Sequence, residues 1–328
     1  MTTTRRWLGL LVNMLPALAA LALLTLLPKH ALEGARCGLG LCADVIIPSL
    51  FPFSVAASLL GELGLTRYVG RLAEPFMSRV FGVGGGGAAA FVLGISGGYP
   101  LGAAAVSDLY RRGECGREEA ERLLAFCNNS GPAFIVGAAG AGVFDSSAIG
   151  IVLFVSHILA ALAVALILNA RAPRVSARRN NNIEIKALGF PEAFSAAVKS
   201  ACASALTICG LITFFSVIIS VLDGIGIFTF LAGILHELTG VSYGAARALL
   251  TGLIELGSGV GALSGLGAYP HTIALCAFIL SWGGISVHCQ TIALAAGSGL
   301  SLRLHFFGRL MCGAIAASIA GGLSFLCL

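Results

Sequence analysis

Apolar runs of about twenty residues recur along this chain, and a helix needs about that many to cross the hydrocarbon core of a bilayer. The runs near 7–27, 40–62, 147–169, 198–222, 270–293 and 306–328 all fit that length. Soluble domains carry about 25% charged residues. Here the charged share is 11% and the hydrophobic share 57%, too little polarity to wrap a fold of this size in water. Water-soluble enzymes and secreted disulfide scaffolds are therefore excluded as main readings. The net charge of +5 marks no nucleic-acid partner, because the basic residues sit in short loops and not on one stripe. Strands of a transmembrane barrel would be shorter and would alternate. With 44 glycines, many helices must pack closely or break.

The N-terminus reads Thr4-Arg5-Arg6 before an apolar run too long for a typical signal peptide, with no clear small-residue cleavage site after it, so a retained first helix is expected. Ten cysteines are scattered without a CxxC pair, and most lie in apolar stretches where cysteine behaves as a small hydrophobe. The spacing of Cys37 and Cys42 allows a disulfide, and nothing in the spacing demands one. No cofactor, metal site or catalytic residue is expected.

Residues 171–192 form the one long polar break, with Arg171, Arg174, Arg178, Arg179 and Lys186 against Glu184 and Glu192. A basic loop of this kind belongs in the cytoplasm. It divides the chain into halves that resemble each other. An ungapped shift of 162 residues aligns Phe53-Ser54-Val55 with Phe215-Ser216-Val217, Ser58 with Ser220, Leu60 with Leu222, Gly64 with Gly226, Gly82 with Gly244, Ser96-Gly97 with Ser258-Gly259 and Leu101 with Leu263. The hydropathy order matches as well: a span, an interfacial stretch, a glycine-broken stretch, then two more spans. Arg67, Arg71 and Arg79 mark the first interfacial stretch, and Arg111, Arg112, Arg117 and Arg122 follow; the matching 223–244 holds Asp223, His236 and Glu237 with no Lys or Arg. That asymmetry predicts opposite orientations.

The expected fold is an all-α polytopic membrane protein with two inverted repeats, each with a broken, re-entrant hairpin, plus an extra N-terminal transmembrane helix. Residues 1–38 hold that helix and an outer loop, 39–170 the first repeat, 171–192 the basic linker and 193–328 the second repeat. The second helix, 40–62, should bend near Pro48 and Pro52. Residues 66–80 and 225–240 should lie on opposite surfaces, 84–110 and 243–265 should form the hairpins, and 123–143 should be interrupted at 128–132. The N-terminus is expected inside and the C-terminus outside.

Inverted repeats with helices broken at mid-membrane are a transporter signature, since broken backbone in lipid must be buried or line a wet cavity. Four clusters are candidates for substrate binding. Ser96-Gly97-Gly98-Tyr99-Pro100 interrupts a helix and frees backbone N–H groups that attract anions, unless it is a simple kink. Asn128-Asn129-Ser130-Gly131-Pro132 places two amides and a hydroxyl in an apolar span, where they bind a ligand or other helices. Ser258-Gly259 follows Glu255, a candidate for ion or proton coupling or else a carboxylate at a wet hairpin mouth. Ser286, His288 and Gln290 form the last cluster, with His288 either functional or structural. His157, in an apolar run, reads as an interhelical group.

The run Ser-Gly-Gly-Tyr-Pro-Leu-Gly (96–102), the Glu-Ala-Glu-Arg-Leu-Leu segment (119–124), Asn-Asn-Ser-Gly-Pro-Ala-Phe (128–134) and Gly-Gly-Ile-Ser-Val-His-Cys-Gln (283–290) resemble the sporulation integral membrane protein YlbJ (SpoVV) family, within the nucleoside recognition (Gate) group. The resemblance covers most of 40–325. Family members often carry Asn where this chain has Gly131. The resemblance implies transport of dipicolinic acid across the outer forespore membrane during endospore formation. Such a doubly charged aromatic acid suits backbone N–H groups, Ser and Asn donors and stacking on Tyr99. Neither cluster holds an arginine, which leaves the backbone, Arg247 or a co-transported cation to balance the charge.

Three other readings stand beside this one. A nucleoside or another small metabolite is the alternative cargo. A gate or scaffold working only with a partner is a second, and homo-oligomerisation through glycine-rich faces is compatible with either. An intramembrane serine hydrolase is the third, because Gly94-Ile95-Ser96-Gly97 and Gly94-x-Ser96-x-Gly98 match short nucleophile patterns, with His157 or His288 as the base.

Overall fold

The computed structural model describes residues 3–170 and 189–327, so most of the basic linker lies outside the described residues. Every regular element among them is helical. Helix α1 (Thr3–Leu26) ends just before Pro28, which occupies the first turn of α2 (Pro28–Leu41), where its missing N–H costs nothing. The two axes bend by 103° at this point. Residues 28–38 are therefore helix, where a loop was expected. The physical reason is packing: Gly34 and Gly38 bring α2 onto the backbone of a later helix, with the position of an added Cβ at 34 only 2.7 Å from the Ser216 carbonyl oxygen.

Helix α2 continues through a π-helical turn, Cys42–Ile46, into α3 (Ile47–Glu62). The widened turn lies just before Pro48. A proline cannot donate to the carbonyl four residues back and its ring crowds that carbonyl, so a wider turn upstream relieves the clash. Cys37 and Cys42 are free thiols, the first exposed and the second buried, and Cys42 Sγ donates to the Cys209 carbonyl at 3.7 Å.

Then comes the first hairpin unit. Helix α4 (Leu65–Phe81) is amphipathic, and α5 (Gly85–Gly97) and α6 (Leu101–Arg111) form the two arms. Helix α7 (Arg117–Cys127) stops at an extended stretch, 128–132, before a π-helical segment, Ala133–Val143. Helix α8 (Ser147–Asn169) starts on Ser146, whose hydroxyl accepts from the Ile149 N–H at 3.3 Å.

The second half repeats this order. Helix α9 (Phe190–Gly224) has 35 residues, a length of about 52 Å at 1.5 Å per residue. The short α10 (Ile227–Thr239) is followed by the hairpin arms α11 (Tyr243–Ile254) and α12 (Leu256–Gly261). Helices α13 (Pro270–Trp282) and α14 (Gly284–Ala295) are two pieces of one span, broken where Gly283 adopts φ 88° and Gly284 φ 74°. Helix α15 (Arg303–Cys327) closes the chain.

The helices that precede the two hairpins are both bracketed by left-handed glycines, Gly64 and Gly82 around α4 and Gly226 and Gly240 around α10. These markers correct the ungapped register. Gly64 and Gly226 keep the offset of 162, but α10 has 13 residues against 17 in α4, so Gly82 matches Gly240 and not Gly244. After that slip of four, Glu255 is the counterpart of Gly97, at the hairpin tip, and not of Leu93. Ser96-Gly97 and Ser258-Gly259 are not structural equivalents.

Among the described residues four helical stretches are long and apolar enough to cross a membrane, Ser147–Asn169, Phe190–Gly224, Pro270–Ala295 and Arg303–Leu326; the bent pair of α1 and α2 would make a fifth. The other apolar pieces are short because they are halves of broken elements. Together with the basic hairpin base in the first copy and its absence from the second, the element order is that of two inverted repeats with re-entrant hairpins.

Candidate functional site

Glycine positions decide how the hairpins fold back. Gly94 on α5 and Gly102 on α6 both face the Cys127 carbonyl so closely that a Cβ on either would collide with it. The two arms thus straddle the end of α7 just where its helix stops. Asn128 continues the junction: its Oδ1 accepts from the Ala103 N–H at 3.3 Å, and its Nδ2 donates to Thr291 Oγ1 at 3.0 Å. In the second hairpin Gly259 packs so tightly on Gly252 that a Cβ would overlap its backbone.

This packing brings four broken segments to one cavity of about 50 Å³. Gly98 and Tyr99 come from the first hairpin tip, Ser130 and Gly131 from the break after α7, Glu255 and Gly257 from the second tip, and Ser286 and Gln290 from α14. Ile46, Phe134, Ile208 and Ile212 complete much of its apolar wall. Ligand pockets usually occupy about 300–1,000 Å³, so the cavity is smaller in this conformation than a bound metabolite needs. Gln290 Oε1 is buried there without a hydrogen-bond partner.

Glu255 is buried at the tip and caps α12. One carboxylate oxygen accepts from the Gly257 N–H at 2.9 Å and the other from the Ser258 N–H at 2.5 Å. It is not the carboxylate of a wet hairpin mouth. Gly131 backs onto Gly98, with the position of an added Cβ 3.1 Å from two Gly98 backbone atoms. The first hairpin tip thus lies where a side chain at residue 131 would begin.

Several sequence candidates lie off the cavity. Ser96 is exposed, and its hydroxyl returns to the Val92 carbonyl at 2.8 Å. Gly97 and Pro100 flank the tip without lining the cavity. Ser258 pairs its hydroxyl with Ser216 at 3.0 Å, and Gly259 serves the contact between the hairpin arms. Asn129 donates to the Phe126 carbonyl at 2.7 Å. His288 turns away into a cluster with Trp282, Phe306 and His305, its Nδ1 3.0 Å from His305 Nε2. His305 Nδ1 lies 2.9 Å from the Leu124 carbonyl oxygen, so His305 donates there and accepts from His288. Arg247 forms a two-pronged ion pair with Asp223, both contacts 2.9 Å, and is not free to meet a substrate.

Among the described residues no histidine pairs with Ser96, whose hydroxyl meets only backbone carbonyls of its own helix. His157 Nε2 accepts from the Ser130 N–H at 3.2 Å, and its Nδ1 lies 2.7 Å from Ser281 Oγ. His157 is the interhelical group that its sequence context implies.

Arg309, on α15, was missed by the sequence reading. It is fully buried and donates to Asn129 Oδ1 at 3.2 Å, to the Tyr99 hydroxyl and to the Ser281 carbonyl. Its guanidinium carbon also lies 5.4 Å from the centre of the Tyr99 ring. One residue thereby ties the first hairpin tip to both broken spans. An arginine inside an apolar span with no acidic residue within a turn was the available signal.

Residues 43–170 match the Gate family model, described as nucleoside recognition. Over 319 residues the chain is 31% identical to the sporulation integral membrane protein YlbJ of Bacillus subtilis (strain 168), covering 88% of this chain and 76% of that protein. The chain belongs to the YlbJ family. It is an integral membrane protein, as that relative's name and its own apolar helices indicate. A solved structure of a CNTnw variant in the intermediate 3 state shares the fold, with a TM-score of 0.58 at 15% identity, over 99% of this chain and 88% of that one. A second CNTnw variant, in an outward-facing state, gives a TM-score of 0.46 at 14% identity over 99% and 88%. The likeness to the first CNTnw structure is one of fold.

Proposed function

We propose that this protein is an alternating-access transporter of a small anionic metabolite, with dipicolinic acid as cargo and the outer forespore membrane as its site during endospore formation. One observation carries the reading: residues of both hairpin tips and both broken spans line a single cavity. Unwound backbone at membrane depth is tolerated where it lines such a cavity, and sites at the interface of two repeats are where alternating access operates. The family relative's name supplies the link to sporulation.

Within this reading Gly98, Tyr99, Ser130, Gly131, Ser286 and Gln290 meet the substrate directly. Tyr99 offers a ring face, Ser130 and Ser286 offer hydroxyl donors, and Gln290 offers an amide. Asn128, Asn129 and Ser258 shape the cavity from behind. Glu255 is the coupling group, since its carboxylate reaches the cavity from the hairpin tip. The cavity must widen to admit the cargo, by movement of the hairpin-bearing part against the remaining helices. The N-terminus and the 171–192 linker face the mother-cell cytoplasm.

Dipicolinate flux in proteoliposomes tests this. Saturable flux in the wild type, reduced in Gln290→Ala and not displaced by adenosine or uridine, is the expected result. Nucleoside uptake without dipicolinate flux would assign the same cavity to a different cargo. No flux of either by folded protein would overturn the transporter reading in favour of a partner-dependent gate.

A further inference from the structure

Arg309 is a buried cation without an acid. Ion pairs among the described residues include His30–Glu33, Arg112–Asp108, Arg117–Glu121 and Arg247–Asp223, and Arg309 belongs to none of these. Its partners are neutral: the Tyr99 hydroxyl, the Asn129 amide oxygen and the Ser281 carbonyl. Its Nε is buried and has no partner. A charge held this way in an apolar span is costly, and such residues mark ion or substrate paths. Arg309 lies six residues into α15, roughly 9 Å from the start of the helix. It stands one side chain behind the cavity wall, since Tyr99 lines the cavity and receives its hydrogen bond.

We infer that Arg309 is the fixed positive charge that makes the cavity selective for carboxylates, acting through Tyr99 as a positioning residue. The inference rests on the anion reading above. The guanidinium contributes in two ways. Its net charge raises the potential inside a low-dielectric cavity, and no carboxylate pairs with it directly: Glu255, which also lines the cavity, is held by the Gly257 and Ser258 N–H groups. Its bond to Tyr99 also occupies the phenol oxygen as an acceptor, which fixes the ring at the hairpin tip and directs the hydroxyl proton away toward the Leu280 carbonyl, 3.2 Å distant. Tyr99 lines the cavity with the guanidinium carbon 5.4 Å from its ring centre, so a flat aromatic acid that stacks on the ring meets a surface backed by a cation. This supplies the counter-charge that neither of the two polar clusters of the first repeat contains.

The test compares dipicolinate with its neutral diamide, pyridine-2,6-dicarboxamide, which has the same ring and nearly the same shape. Thermal shift of the detergent-solubilised protein reads binding, and proteoliposome flux reads transport. In the wild type the charged ligand should bind at least about tenfold tighter than the diamide, and in Arg309→Met that preference should fall below about threefold with diamide binding retained. Arg309→Lys keeps the charge and should keep most of the preference. Should Arg309→Met fail to fold, Arg309→Lys with Tyr99→Phe decides: the lysine variant keeps the preference, and the phenylalanine variant, which loses the hydrogen bond but keeps the ring, weakens it. Unchanged preference in Arg309→Met, or equal loss of both ligands in Arg309→Met and Arg309→Lys, would overturn the inference and leave the transporter reading intact. Charge-selective binding without flux would overturn the transporter reading and leave this one standing.

Discussion

Asn128 and Thr291 join the two repeats through one buried hydrogen bond, Nδ2 to Oγ1 at 3.0 Å, across 163 residues of chain. Asn128 also receives the Ala103 N–H, so a single amide ties the first hairpin, the break after α7 and helix α14 together. Removing one partner of a buried hydrogen bond strands the other, at a cost of about 1–3 kcal/mol. Asn128→Ala and Thr291→Val should each lower the melting temperature of the solubilised protein. The double variant should lose less than the sum of the two, because each single change strands a group that the double change removes. Additive losses would show that the two side chains do not interact.

Gly102 tests the hairpin geometry. An alanine there puts a Cβ onto the Cys127 carbonyl, which is backbone and cannot swing aside. Gly102→Ala should be destabilising by about 1–3 kcal/mol, as overpacking usually is. Gly116, in the loop before α7, has open space where a Cβ would go and an ordinary φ of −76°. Gly116→Ala should be close to neutral. A thermal melt of the two variants side by side checks the contrast, and equal melting temperatures would contradict the straddled junction.

Two substitutions separate capping from coupling at Glu255. Its carboxylate satisfies the N–H groups of Gly257 and Ser258. Glu255→Ala removes both bonds and should cost about 0.5–2 kcal/mol, the range for loss of a helix cap. Glu255→Gln keeps an acceptor oxygen and should melt closer to the wild type. If Glu255 is the coupling group, the glutamine variant should still bind dipicolinate yet lose its stimulation by a pH or sodium gradient. Retained stimulation would confine Glu255 to capping.

The Arg247–Asp223 pair is about one-third exposed on each side, 35% and 34%. Solvent screening at such sites holds an ion pair to about 0–1 kcal/mol. Asp223→Asn should therefore shift stability by less than about 1 kcal/mol, with the difference shrinking at high salt, and should leave substrate preference unchanged. A large loss of dipicolinate binding in this variant would return Arg247 to the substrate path.

Residues acting within one helical turn of their own position were legible in the sequence. Apolar length identified the four spans near 147–169, 198–222, 270–293 and 306–328 but not the bent pair that replaces separate crossings at 7–27 and 40–62, proline and glycine located the breaks at 98–100 and 128–132, and the repeat followed from pattern and loop charge. Local signals of this kind survive folding because they act through backbone torsions and through transfer to lipid, neither of which needs a distant partner. The register of the second hairpin was not legible, since an ungapped comparison cannot register that α10 is four residues shorter than α4.

What the tertiary structure alone decided is which polar side chains face the cavity. Asn129, His288 and Ser258 look like Ser130, Ser286 and Gln290 in sequence, and a rotation of one residue about a helix or a tip separates the two groups. Arg309 shows the limit most plainly. Its contacts reach back 180 residues to Asn129 and 210 to Tyr99. The composition of a helix determines that an arginine in it must find polar partners, but only the packing of α15 against the first hairpin tip and both broken spans determines which ones.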